Sequence, residues 1–315
     1  MNQITKNQHY VPQGYLRNFA IKEQIFVLDK IKKTVYLTNV KNVAQDRYFN
    51  DFPDVFLPEE YREKAKSQFI EKDLAKVESN FSKFLKLIID CLEDIEGRDL
   101  FNSIGVMDEE AKINFSAFLT LQLVRTNTFR QQTGGMFQSL VDLKEKMDET
   151  LTNRNNPQEF SFAGLGDQTQ LIDLNDLIKT GVEEDSIAQH LLFISDTLDK
   201  GANSNIAKIL SNHIWLFGVN STPIPLWTSD NPIVIKPCKD FGTGLASHGV
   251  QVIFPISPKH LLIMFESNFW SKHKGLDGMS AKLSEEDVKS YNKLQAQQCH
   301  RQTYASKKNF ELLLT

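Results

Sequence analysis

Cysteine is scarce in this chain: three among 315 residues, Cys91, Cys238 and Cys299, with no CxxC pair. An odd, unpaired set excludes a disulfide framework and a cysteine zinc site, and suits thiols kept in a reducing compartment. Long apolar runs are missing too. No stretch approaches the roughly 18 residues that a membrane-spanning helix needs. Asn2, Gln3 and Lys6 lead into His9 without the apolar segment of a signal peptide, so a cytoplasmic protein with no membrane partner is expected. A formal charge of -4 and a pI near 6.0 provide no global attraction to nucleic acid, although a local basic groove would not show in a net count. The seven histidines lack HExxH or HxH spacing. A P-loop, a GxGxxG after a strand, a GxSxG elbow and the kinase signatures are also missing, which removes the common nucleotide and hydrolase families as far as local motifs reach.

What is present can build a large core, with 41% hydrophobic and 10% aromatic residues. The runs "IFVLDK" (25–30) and "TVYLTNV" (34–40) alternate, are rich in β-branched and aromatic residues, and read as a hairpin. Ile70, Leu74, Val77, Phe81, Phe84, Ile88 and Leu92 recur at steps of three and four, which predicts an amphipathic helix over 68–93. A second helix, apolar on more than one face, is predicted from Asp108 to Gln131. Residues 134–180 turn polar and read as an excursion, part helix (136–150) and part loop. A further helix is expected over Glu184–Leu198. Then short apolar runs at 213–219, 224–229, 232–236, 250–256 and 260–266 read as an antiparallel sheet. "SEED" starts a last helix, capped by Ser284 and Asp287 and ending near Gln298. The expectation is a single α+β domain over 1–315, its helical first half packed with a mostly antiparallel sheet from the second.

Four groups of polar residues stand where the pattern wants apolar ones. In "KNQHYVPQGYLRNFA" (6–20), a histidine, two glutamines, two tyrosines and an arginine crowd around Val11, Leu16 and Phe19. Such a stretch either uses its polar heads at a site or merely leads into a core. On the second helix Phe115, Phe118, Gln122, Arg125 and Phe129 share one face. An arginine stacked among phenylalanines needs a partner, either an acid in a buried pair or an anionic ligand. Glu71 and Glu78, seven residues apart, superpose about 80–100° from the centre of the apolar stripe, at the rim of the buried face. There they are solvated charges or, if they face Arg125, its partners. In "WTSDNPIVI", Ser229, Asp230 and Asn231 precede Pro232, and the local reading is a turn in which Asp230 bonds its own backbone two residues on. The alternative is a strand-end carboxylate projecting into a pocket.

The opening "NQHYVPQGYLRNFA", then "VKNVAQDRYFND", "LQLVR", "WTSDNPIVI" and "IFPISP", in order along residues 7 to about 304, resemble the bacterial family known as domain of unknown function 4238. The resemblance points to His9, Gln13 and Arg17, to Glu78, to Gln122 and Arg125, and to Ser229, Asp230, Asn231 and Pro232. Gly14 departs from the pattern, standing where a bulky residue is common, and 134–180 carries none of it. The resemblance implies grouped residues and no reaction.

Gathered at one site, these residues predict an anionic ligand, because planar guanidinium groups match phosphate or carboxylate. The expectation is an enzyme acting on a phosphate-bearing substrate, nucleic acid or nucleotide: a phosphodiesterase, or a nuclease of a toxin or phage-defence system. Arg17 and Arg125 would clamp phosphate, with Gln13, Gln122, Ser229 and Asn231 binding substrate. His9 would serve as general acid or base, and Glu78 and Asp230 as bases or ligands of a divalent metal. The competing expectation is a non-catalytic binding or regulatory module in which the same residues form a sealed structural network.

Overall fold

The computed structural model describes residues 4–53, 66–152, 182–239 and 241–310. In chain order the elements are β1 (Asn7–His9), α1 (Gln13–Leu16), β2 (Gln24–Asp29), β3 (Thr34–Asn39), β4 (Gln45–Arg47), α2 (Phe69–Arg98), α3 (Glu109–Val124), α4 (Asn127–Thr152), α5 (Val182–Lys200) and α6 (Asn205–Ser211). There follow β5 (Ile214–Val219), β6 (Thr228–Ser229), β7 (Val234–Lys236), β8 (Gln251–Pro255), β9 (His260–Phe265), β10 (Met279–Lys282), α7 (Glu285–Gln298) and β11 (Gln302–Ala305). The class is α+β, with most of the helix in the first half. No helix among the described residues is long and apolar enough to cross a membrane.

Three sheets form. Five strands run in the order β10-β5-β9-β8-β7, four in the order β3-β2-β11-β6, and β1 pairs with β4 alone. All pairs are antiparallel except β10 with β5. The apolar stripe of α2 packs into the main core, where Phe81 and Phe115 lie against Phe254 of β8 with ring centroids 6.4 Å away in each case. Trp215 of β5 meets Phe115 edge-on at 5.7 Å. These large rings pack in the same core as Val252, Leu262 and Met264 of the five-stranded sheet, and their burial adds to its hydrophobic driving force.

The hairpin, the stripe helix and the capped last helix stand where their patterns put them, and Ser284 and Asp287 form the reciprocal capping box. Two expectations need correction. The helix predicted over 108–131 is two helices. Arg125 is the C-cap of α3, and the Thr126 hydroxyl accepts the Phe129 N–H at 3.2 Å, capping α4. The run 224–229 joins the main sheet nowhere. Leu226 N–H donates to the Pro258 carbonyl and Trp227 N–H to Asn292 of α7, so only Thr228–Ser229 remain to pair, and they pair with β11. The excursion is helical over its first part as α4, while its loop part lies outside the described residues.

Candidate active site

The opening segment sorts its residues by side. Its rings go in: Tyr10, Tyr15 and Phe19 are buried, with Tyr10 against Phe49 at 5.1 Å and the Tyr15 hydroxyl within 2.6 Å of Thr228 Oγ1 and 2.7 Å of the Pro255 carbonyl. Side chains alternate along an extended strand, so a fully buried Gln8 leaves His9 on the opposite face, half-buried and paired across the ribbon with Gln45. Pro12 then opens α1, which turns Gln13 to the side of His9. Thus the segment does both things its composition allowed: it leads into the core and it carries a histidine to the surface.

Arg125 holds the segment from beneath. Only 2% exposed, its Nη2 donates to the His9 carbonyl at 2.5 Å and pairs with Glu78 Oε1 at 2.7 Å. Gln122, one helical turn earlier and equally buried, donates to the Tyr10 carbonyl at 3.4 Å. The acidic partner expected for Arg125 is therefore Glu78, and the arginine is no clamp open to a ligand. Gln122 likewise spends its amide on backbone.

Above this layer lies a partly open cavity of about 450 Å³, lined by His9 and Gln13, by Glu71 and Glu78 from α2, and by Lys41 and Gln45. His9 Nε2 is buried and meets no hydrogen-bond partner, while Nδ1 faces Gln13 Nε2 at 3.5 Å. A donor amide at Nδ1 selects the tautomer with its proton on Nε2 and a basic lone pair on Nδ1. Arg17 orients that amide: its Nη2 donates to Gln13 Oε1 at 3.3 Å, while its Nε is held by Glu23 at 2.9 and 3.1 Å. Burial lowers the His9 pKa below its usual 6.5, opposed by Glu78 and the Lys41 backbone and assisted by Arg125 and Arg17. Glu71 moves the other way. Burial raises its carboxyl above 4.5 and Glu78 adds to this, against a 2.7 Å hydrogen bond from Asn50 and the charge of Arg125.

The 229–231 turn does not join this site. Asp230 is fully buried, and its carboxylate accepts the backbone N–H groups of His300 (2.8 Å), Arg301 (2.7 Å) and Gln302 (2.8 Å). Burial pushes its carboxyl up to about 6 while those three donors pull it back. Ser229 Oγ donates to Gln295 and accepts the Asn231 N–H, and Asn231 donates to the Gln298 carbonyl. These residues clasp β11 and α7 together, with their hydrogen-bonding capacity turned inward. The expected shared site therefore contracts to His9, Gln13, Arg17 and Glu78 over a base of Gln122 and Arg125. Among the described residues no group of three or more His, Cys, Asp or Glu is placed to hold a metal ion.

Six residues of the cavity were not singled out as site residues from sequence, Glu71, Lys41 and Gln45 among them. Glu71 shares the rim of α2 with Glu78, and that spacing was its available signal. Lys41 and Gln45 follow β3 in a stretch with no periodicity to mark them. A family model described as "Protein of unknown function (DUF4238)" matches residues 7–309. No curated protein matches the chain, and no solved structure does.

Proposed function

Because the chain belongs to the DUF4238 family, whose description assigns no activity, we propose a function from the cavity itself: an enzyme acting on a phosphate-bearing substrate by general acid–base catalysis. His9 Nδ1 is the base and Glu71 the acid. One observation carries this reading: two titratable groups whose environments displace their pKa values in opposite directions line the same open cavity. Lys41 brings the positive charge for a phosphate oxygen, the part expected of Arg125.

RNA is the first substrate to try, because its 2′-hydroxyl is a nucleophile that a neutral imidazole can activate. His9 Nδ1 takes the hydroxyl proton, the 2′-oxygen bonds to phosphorus, and the 5′-oxygen leaves with a proton from Glu71. The products are a 2′,3′-cyclic phosphate and a 5′-hydroxyl. Purified protein is assayed on RNA, single-stranded DNA, nucleoside triphosphates and an aryl phosphodiester. His9→Gln and Glu71→Gln are expected to lower turnover about 10²–10⁴-fold while remaining folded. Equal turnover in His9→Gln, or no turnover of any of these by the wild type, overturns the proposal. Its cellular form, a toxin or phage-defence effector, is read by expressing wild type and His9→Ala at equal levels in bacteria and comparing growth, phage resistance and RNA integrity. The non-catalytic reading has its own support in the Arg125–Glu78 pair, which would hold the opening segment in place whatever the cavity binds.

A further inference from the structure

Sharing Glu78 with the open cavity is a second, much smaller one of about 10 Å³, lined by Gln122 and Arg125 together with Phe81, Phe118 and Leu121. Gln122 and Arg125 each present a buried polar atom to this region that meets no partner, Gln122 Oε1 and Arg125 Nε. Both residues are 2% exposed. The two atoms are complementary in kind, since Nε carries a hydrogen to donate and Oε1 has lone pairs to accept. The amide orientation is fixed independently, because Gln122 Nε2 is spent on the Tyr10 carbonyl and so turns Oε1 away from it. Arg125 Nη2 is likewise committed, to Glu78 and to the His9 carbonyl.

Buried polar groups in folded proteins find partners, from the protein or from ordered water. Water needs a space of about 10–15 Å³ and two to four polar neighbours to be retained. We propose that this small cavity is the binding site of a single resident water. The water accepts from Arg125 Nε and donates to Gln122 Oε1, with its second hydrogen turned to the Glu78 carboxylate. Nothing larger fits, so neither substrate nor a phosphate oxygen reaches Arg125 by this route. The consequence is that Arg125, Glu78 and Gln122 act as one unit: the water joins the helices α2 and α3 through three side chains, and brings Gln122 into the pair that Arg125 makes with Glu78.

The test does not depend on the activity proposed above. In a crystal structure of the wild type at about 1.5 Å, one spherical density peak is expected within 2.7–3.2 Å of both Arg125 Nε and Gln122 Oε1. In solution, protein labelled with ¹⁵N-arginine should show a cross-peak between the Arg125 Nε–H and a long-lived water. That cross-peak should vanish in Gln122→Met, which keeps the length of the side chain and removes the acceptor. An empty cavity, or a direct protein partner for Nε or Oε1 in the crystal, overturns the proposal. So does a water cross-peak of undiminished intensity in Gln122→Met. Should that variant fail to fold, the wild-type density alone decides.

Discussion

Replacing Arg125 with methionine keeps most of the buried stem and removes the guanidinium, so it isolates what the charge contributes. Two losses follow from the geometry. Glu78, 29% exposed, is stranded without the partner now 2.7 Å away, and the buried His9 carbonyl loses its 2.5 Å charge-assisted hydrogen bond. Removing one member of a fully buried pair costs about 3–5 kcal/mol, and the remaining solvent access of Glu78 puts its share at the low end, about 3 kcal/mol. The lost hydrogen bond adds about 1.5 kcal/mol, and because both losses share one side chain they sum to about 4 kcal/mol rather than more. At about 2 °C per kcal/mol for a chain of this size, the thermal midpoint should fall roughly 8 °C. Adding Glu78→Gln to the same protein removes the stranded charge and should restore about 1–2 kcal/mol, a coupling that a double-mutant cycle measures directly. A single variant melting within about 1 °C of the wild type would refute the claim that Arg125 is a buried structural cation and return it to the role of ligand clamp.

The pH–rate profile should be bell-shaped, with its rising limb centred below pH 6.5 and its falling limb centred above pH 4.5. The base is active above the His9 pKa, which lies below 6.5, and the acid is active below the Glu71 pKa, which lies above 4.5. A rate still rising with pH above 6.5 would contradict the lowered His9 pKa, and a rate already falling below pH 4.5 would contradict the raised Glu71 pKa. Arg17→Ala should cost no more than about 1 kcal/mol, because its pair with Glu23 is exposed, with 48% of each side chain in solvent. It should nonetheless lower the rate by releasing the Gln13 amide, a change that the imidazole ¹⁵N shifts of His9 would report as mixed tautomers. Asp230→Ala should destabilise by about 3–5 kcal/mol in denaturant unfolding, since three backbone N–H groups lose their acceptor together.

Some of this was legible because local pattern and final packing agree. The alternation of β2 and β3, the stripe of α2 and the Ser284 capping box each need only nearby residues to be decided. The break between α3 and α4 was not, since apolar periodicity runs through it. What ends α3 is tertiary: His190 of α5 bonds the Val124 carbonyl at 2.7 Å, and the β1 backbone draws Arg125 aside. β1 and β4 are three-residue polar strands with no alternation to read. In the candidate site, the pairing of Arg125 with a rim glutamate was legible from the helical faces. Asp230 was misread in both ways considered, because its partners lie about seventy residues away, at 300–302, and no local rule reaches them. Gly14 makes sense only in space. A Cβ there would stand 2.0 Å from Ser82 Oγ, so the bare backbone is what lets α1 settle on α2.

The four-stranded sheet places β11 between β2 and β6, so that Asp29 pairs with Gln302 and Arg301 bonds Asp29 at 2.8 Å. During synthesis on the ribosome this arrangement imposes a delay. At about 5–20 residues per second, β2 and β3 wait roughly 10–50 s for the strand that completes their sheet. Until then the hairpin exposes its unpaired β2 edge, and the 300–302 backbone that occupies Asp230 has yet to be made. A nascent chain halted short of residue 302 therefore carries His9 and the rest of the cavity lining but lacks the strand against which the hairpin seats. Premature termination should yield a chain that seeks edge-to-edge partners, and that a holdase chaperone would retain, rather than a smaller working protein.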